Sequence, residues 1–75
     1  SRDEVIEAHI AEKYESIKPY LNERTRRIWA ATEALALGRG GISEVARATR
    51  LSRTTIYTEM ALDKADQLAS LRLRV

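Results

Sequence analysis

Residues 42–61, ISEVARATRLSRTTIYTEMA, contain the pattern that decides the fold. The pattern predicts two short helices, the first capped by Ser43 and the second capped by Ser52. Leu51 lies in the turn between them, and the small Ala46 is placed where two helices would approach closely. Two short helices joined by a turn of three to four residues are typical of a helix-turn-helix. The sequence therefore predicts a helix-turn-helix at 42–61.

The start of the second helix of this motif carries side chains that suit DNA. A generic helical hairpin has the same spacing, but here the chain has arginine and hydroxyl side chains and no acidic residue before Glu59. Such side chains hydrogen-bond phosphates and base edges. The residues expected to contact DNA are Arg39, Ser43, Arg47, Arg50, Ser52, Arg53, Thr54, Tyr57 and Thr58.

The expected roles of these residues follow from the way a helix-turn-helix docks, with its second helix, here about residues 52–61, in the major groove. Ser43 and the amides at the start of the first motif helix are expected to hold phosphate. The residues expected to face the bases are Arg53, Thr54, Tyr57 and Thr58. The residues expected to face the DNA backbone are Arg47 and Arg50, with Arg39 nearby.

The charge distribution supports this interpretation more than the net charge of +2 does. Residues 1–23 contain three basic and six acidic side chains, whereas residues 24–58 contain seven arginines and two acids. Arginine binds phosphate with two parallel hydrogen bonds, and a basic face is the electrostatic footprint of nucleic-acid binding. A charge cluster is also compatible with an ordinary solvated helical surface.

Arg50 occupies the turn position where such motifs usually carry glycine, because the backbone there is left-handed. A residue with a side chain in that conformation costs about 1 kcal/mol. Either the turn is strained, or the Arg50 side chain compensates by reaching DNA or an acidic neighbour.

The rest of the chain predicts further helices and no strands. Ser1 and Glu4 have the spacing of a capping box, and Pro19 ends the first helix. Asn22 is the expected N-cap of a second helix that runs to about Leu37. The first helix has an apolar stripe of Ile6, Ile10, Tyr14 and Ile17. The apolar positions of the second helix are Ile28, Trp29, Ala31, Thr32, Leu35 and Ala36, followed by a C-terminal stop at Gly38 and a flexible turn over 38–41. The fold class is therefore all-α, a small bundle of three to four helices.

Length and composition exclude several classes of function. Seventy-five residues make one small domain, and the absence of cysteine rules out disulfides and thiolate chemistry. The single His9 has no serine, cysteine or metal-ligand companion at useful spacing, so we expect no catalytic residue, no metal and no cofactor in this chain. No apolar run is long enough for a membrane span, and we expect a cytoplasmic protein. Because the chain begins with Ser1, we expect it to be part of a longer protein.

Residues 13–58 also resemble a known family. The segment Leu21-Asn22-Glu23-Arg24, followed by Gly38-Arg39-Gly40-Gly41-Ile42 and then Leu51-Ser52-Arg53-Thr54-Thr55-Ile56, resembles the N-terminal region of the Rhodopirellula-type DDE transposases of bacterial insertion elements. Family members usually have glycine at the position of Arg50, and basic residues where this chain has Thr58 and Glu59.

The resemblance implies a helix-turn-helix that recognises the ends of an insertion element. It also implies that the catalytic acids lie in an RNase H-like domain beyond this chain, and that self-association involves the rest of the transposase. We accordingly divide the chain into a DNA-binding domain at 1–61 and a C-terminal helix or linker at 62–75, which leads towards the catalytic domain.

An alternative function of a different class is a protein-interaction module. The first helix could dimerise through Ile6, Ile10 and Ile17. A self-association face on that helix does not require arginines concentrated between residues 24 and 53, so the charge placement favours DNA.

Overall fold

The computed structural model describes residues 2–73, with side chains described except at 67 and 71–73. The chain forms four α-helices, and no strand occurs between residues 2 and 73. The helices are α1 (Arg2–Ile17), α2 (Glu23–Leu37), α3 (Gly41–Thr49) and α4 (Arg53–Leu73), with a 3₁₀ turn at Lys18–Tyr20. The predicted all-α bundle is confirmed, whereas the proposed cap at Ser1 lies outside the described residues.

The first helix ends where proline predicts. α1 stops at Ile17, and Pro19 lies in the 3₁₀ turn that follows. Ile10 and Tyr14 are buried, and Ile6 packs against the core, so the predicted apolar stripe is the inner face of the helix. α1 contacts α3, and it is joined to α2 by an ion pair between Lys13 and Glu33.

Both ends of α2 are fixed by local hydrogen bonding. The Asn22 side chain accepts a hydrogen bond from the Thr25 amide at 2.8 Å, and the Thr25 hydroxyl accepts one from the Asn22 amide at 2.9 Å. This reciprocal pair satisfies two of the amides that a helix start leaves without partners. The helix ends at Leu37, and Gly38 follows with a φ of +75°. The predicted cap and stop are confirmed.

The inner face of α2 matches the prediction at Trp29 and Ala31 and differs from it at the other positions. Ile28 and Leu35 are 40% and 50% exposed, and Thr32 and Ala36 are also exposed. The buried residues of this helix are Ala30, Ala31 and Ala34. α3 and α4 both pack against α2, and alanine lets helix backbones come closer than large side chains do. Three alanines of α2 therefore face the neighbouring helices, while Ile28 and Leu35 are exposed.

α3 begins earlier than predicted, so the assignment of Ser43 as N-cap is wrong. Gly40 is the N-cap, with a left-handed φ of +82°, and its carbonyl accepts a hydrogen bond from the Glu44 amide at 3.3 Å. Gly41 is the first helical residue and is buried. A Cβ atom at Gly41 would lie 2.6 Å from the Ala34 carbonyl oxygen. Gly41 is therefore required for the close approach of α3 to α2, whereas Gly38 and Gly40 supply the positive φ angles of the turn.

The turn of the motif follows the prediction. Arg50 has a φ of +65°, and its amide donates to the Ala46 carbonyl at 2.8 Å. Ser52 caps α4 by accepting a hydrogen bond from the Thr55 amide at 3.0 Å. α4 then continues through residue 61 to Leu73, so residues 62–73 extend the second motif helix. Residues 74 and 75 lie outside the described part of the chain, and the division into a domain and a linker stays a prediction.

The inner residues of the motif form the centre of the core. Val45 and Ile56 are the largest fully buried side chains, and they pack with Ile10 from α1 and two alanines of α2. Thr49 is also buried, and its hydroxyl donates to the Val45 carbonyl at 2.7 Å. The first turns of α4 are thus held in a defined position relative to α3.

Across the described residues, none of the helices combines the length and apolar character that crossing a membrane requires.

Candidate nucleic-acid interface

An open groove of about 620 Å³ lies between the start of α3 and the first turns of α4. Its lining residues are Gly38, Arg39, Gly40, Ile42, Ser43, Arg53, Thr54, Tyr57 and Met60. Five of the nine residues expected to contact DNA are among them, namely Arg39, Ser43, Arg53, Thr54 and Tyr57. The fold therefore brings together residues from three parts of the sequence: the glycine-rich turn, α3 and α4.

The groove combines apolar and hydrogen-bonding surfaces. Ile42 and Met60 are half-buried and pack against the core, while Tyr57 is 65% exposed. Ser43 and Thr54 add hydroxyl groups. Such a surface can contact a thymine methyl or a sugar through its apolar atoms and a phosphate or base edge through its polar atoms.

Arg53 is held by a contact between the two motif helices. Its Nη1 atom donates a hydrogen bond to the Ser43 hydroxyl oxygen at 3.2 Å. Arg53 is the first residue of α4, and no acidic residue occurs in the first turn of this helix. A helix N-terminus carries partial positive charge, so a cation there is unfavourable and an anion is favourable. The local field at this end of the groove consequently attracts anions.

The arginines of the chain divide into paired and unpaired groups. Arg47 Nε lies 2.9 Å from Glu7 Oε2, and Arg27 pairs with Glu23 at 3.3 Å. Within the described part of the chain, two arginines of the motif and one just before it make no ion pair with a carboxylate: Arg50, Arg53 and Arg39. Positive charge is therefore left uncompensated at the groove and the turn.

Arg47 lies in a different environment from the one expected for a DNA-facing residue. Its hydrogen bond to Glu7 raises the pKa of the guanidinium further above its usual value. Partial burial raises the pKa of the neighbouring Glu44, and a hydrogen bond and the charge of Asp3 raise it further. Arg47 thus lies among three acids at the contact of α1 with α3, and it does not line the groove.

The remaining predicted residues do not line the groove. Arg50 is exposed at the turn, and Thr58 is exposed on α4. The Ser52 hydroxyl is already engaged, because it accepts from the Thr55 amide and donates to the Thr55 hydroxyl at 2.7 Å. Its first role in this fold is to cap the helix.

The structure adds residues that the sequence reasoning missed. A second groove of about 510 Å³ continues along α4 from Tyr57 and Met60. Its other lining residues are Leu35, Ala61, Asp63 and Lys64. Helical spacing from Tyr57 would have found Ala61 and Lys64, at four and seven residues further on. Leu35 could not be found in this way, because its place in the groove depends on which face of α2 is buried.

No family model, no curated protein and no solved structure matches this chain.

Proposed function

We propose that this chain is a helix-turn-helix module that binds double-stranded DNA with sequence preference. The observation that carries the proposal is the groove at the start of α4, where Arg39, Arg53, Ser43, Thr54 and Tyr57 converge. Residues at the start of the second motif helix are the ones that reach base edges when that helix enters a major groove.

The distribution of free charge supports phosphate binding at both ends of α3. Arg39 precedes α3 and Arg50 follows it, and neither has a carboxylate partner within residues 2–73. Contacts of this kind position a protein on the duplex and release counterions, which makes binding dependent on salt. We propose Arg39 and Arg50 as backbone contacts, and Arg53, Thr54 and Tyr57 as base contacts.

Duplex DNA is favoured over single strands by the placement of the aromatic rings. Proteins that bind single strands stack successive bases on several exposed rings. Here Trp29 packs against Tyr14, with 5.5 Å between ring centroids. Of the described aromatic residues, Tyr57 is the one that lines the groove.

We further propose that the module recognises the ends of an insertion element as the N-terminal part of a bacterial DDE transposase. The resemblance of residues 13–58 to that family supports this. In this proposal the chain contributes no catalytic residue, and both strand transfer and self-association belong to the rest of the parent protein.

The alternative, dimerisation through α1, has less support. Ile10 is 2% exposed and Ile6 packs against the core, so this apolar face is covered within the chain. A protein-interaction module of this kind would need another surface.

The proposal is tested by selecting duplexes from a random library and titrating the protein with the selected duplex and a shuffled one at two salt concentrations. We expect tighter binding to the selected duplex. Arg39→Ala should weaken binding to both duplexes and reduce the slope of log affinity against log salt by about one unit.

Arg24→Ala is the matched control, since it removes the same charge near the opposite end of α2, roughly 20 Å from Leu37 at helical rise. Equal binding to all duplexes would contradict sequence preference. Absence of salt-dependent binding, together with self-association, would favour the interaction module.

A further inference from the structure

We infer that Arg53, positioned by Ser43, reads a guanine of the target duplex. This inference rests on the proposed function and makes it specific: it names one base and the pair of residues that selects it.

The orientation of the guanidinium is the first argument. Arg53 Nη1 donates to the Ser43 hydroxyl at 3.2 Å, so one of its five N–H groups is used within the protein. This hydrogen bond already restricts the long, exposed Arg53 side chain, so less rotamer freedom is lost when DNA binds. The remaining donors keep the fixed fork geometry that matches the O6 and N7 atoms of guanine.

The choice of base is the second argument. Between residues 53 and 60, α4 contains no asparagine or glutamine, the residues that pair with adenine. Its Glu59, which could accept from cytosine, is directed towards Arg27, with 4.0 Å between the Glu59 Oε2 and Arg27 Nε atoms. Guanine is therefore the base for which the start of this helix offers a matched charged side chain.

The third argument is that Arg39 and Arg53 are suited to different roles. Arg39 supplies a positive charge to the same groove, so phosphate binding does not depend on Arg53. Arg53 is the one that a neighbouring hydroxyl holds in place, and Thr54 and Tyr57 follow it along the groove. Fixing the orientation of the guanidinium group adds little to its attraction for a phosphate, but it adds much to its discrimination between bases.

The experiment measures affinity for the selected duplex after each guanine is replaced in turn by 7-deazaguanine, which lacks the N7 acceptor. We expect one position at which this replacement weakens wild-type binding by about fivefold or more. In Arg53→Ala the same replacement should cause no further loss. Arg53→Lys, which keeps the charge but lacks the planar fork, should show a smaller penalty than the wild type and should retain salt-dependent binding to a shuffled duplex.

The contribution of Ser43 is measured in the same way. Ser43→Ala should shrink the 7-deazaguanine penalty, which is the ratio of the affinities for the normal and the substituted duplex, and loss of a phosphate contact alone would not change that ratio. A wild-type penalty that persists in Arg53→Ala would overturn the inference while leaving the proposed function intact. A full penalty in Ser43→Ala would overturn the positioning role. Failure of the wild type to bind any duplex would overturn the proposed function itself.

Discussion

Two arginines of the motif occupy positions that local physical chemistry disfavours. Arg50 has a left-handed backbone, and Arg53 places a cation at the N-terminus of α4. Neither has a carboxylate partner within residues 2–73. Residues in positions that local physical chemistry disfavours concentrate at functional sites in natural proteins. A bound anion would offset the cost of placing the Arg53 cation at a helix N-terminus.

The backbone at Arg50 leads to a stability prediction. Arg50→Gly should stabilise the domain by about 0.5–1 kcal/mol, because glycine adopts a φ of this sign without steric cost. Denaturant unfolding of the two proteins measures the difference. Arg50→Ala is the control, since it removes the charge and keeps the strain, and it should leave stability nearly unchanged. Equal stability of the glycine variant and the wild type would contradict a strained turn.

The pairing of Arg47 with Glu7 leads to a binding prediction. Arg47→Ala should alter DNA affinity little, because Glu7 already neutralises this charge. Glu7→Gln should free Arg47, tighten binding to all duplexes and steepen the salt dependence by up to about one unit. Titrations at two salt concentrations measure both effects, with Glu15→Gln as a control that changes the net charge equally. A loss in Arg47→Ala as large as that in Arg39→Ala would contradict this account.

At the scale of the elements, α3 determines how the groove is built. It packs against α1 and α2, and Gly41, Val45 and Thr49 are its buried residues. Its start lies directly against the end of α2, and this contact places Ser43 beside Arg53. The groove therefore depends on a helix contact that only glycine permits.

Gly41→Ala tests this contact. Replacing a helical glycine by alanine ordinarily stabilises a protein by about 0.5–1 kcal/mol. Here we expect a loss of about 1–3 kcal/mol, because the new Cβ would lie 2.6 Å from the Ala34 carbonyl oxygen and the backbones would have to separate. The sign of the change in unfolding free energy is the test, and a stabilised variant would show that the two helices are not in contact at this point.

The α1–α3 contact also predicts a pH dependence. The pKa of Glu44 is raised above 4.5 in the folded state, so the ionised carboxylate lowers stability when the pH is above that pKa. The groups that face it are Asp3, Glu7 and Arg47. Glu44→Gln should therefore raise the melting temperature near neutral pH, and the gain should shrink as the pH falls towards the value of the unfolded chain. A gain that does not depend on pH would contradict this cause.

At the scale of the whole molecule, local signals predicted the elements and missed part of their packing. The cap at Asn22, the stop at Gly38 and the turn at Arg50 depend on nearest neighbours, and the sequence shows them directly. The face of α2 that is buried depends on which helices surround it. Ala30 and Ala34, which the prediction missed, are weak hydrophobic signals, although they are residues that close packing selects.

Dependence on neighbours that are distant in sequence also explains why only part of the candidate interface could be described from the sequence. Arg39, Ser43 and Arg53 were expected from residue type and order, and the structure places them at one groove. Whether an arginine is free or paired depends on partners distant in sequence, as with Arg47 and Glu7, forty residues apart. Such pairs have no local signature, and for this reason the sequence did not show that Arg47 is paired.

The central claim is that the groove at the start of α4 is the surface that binds duplex DNA. Amide chemical-shift mapping of the ¹⁵N-labelled chain during titration with the selected duplex tests it most directly. We predict that the largest shifts occur at Arg39, Ser43, Arg53, Thr54 and Tyr57, while the amides of α1 and the first turns of α2 change little. Shifts confined to α1, or to α4 beyond residue 61, would contradict the claim.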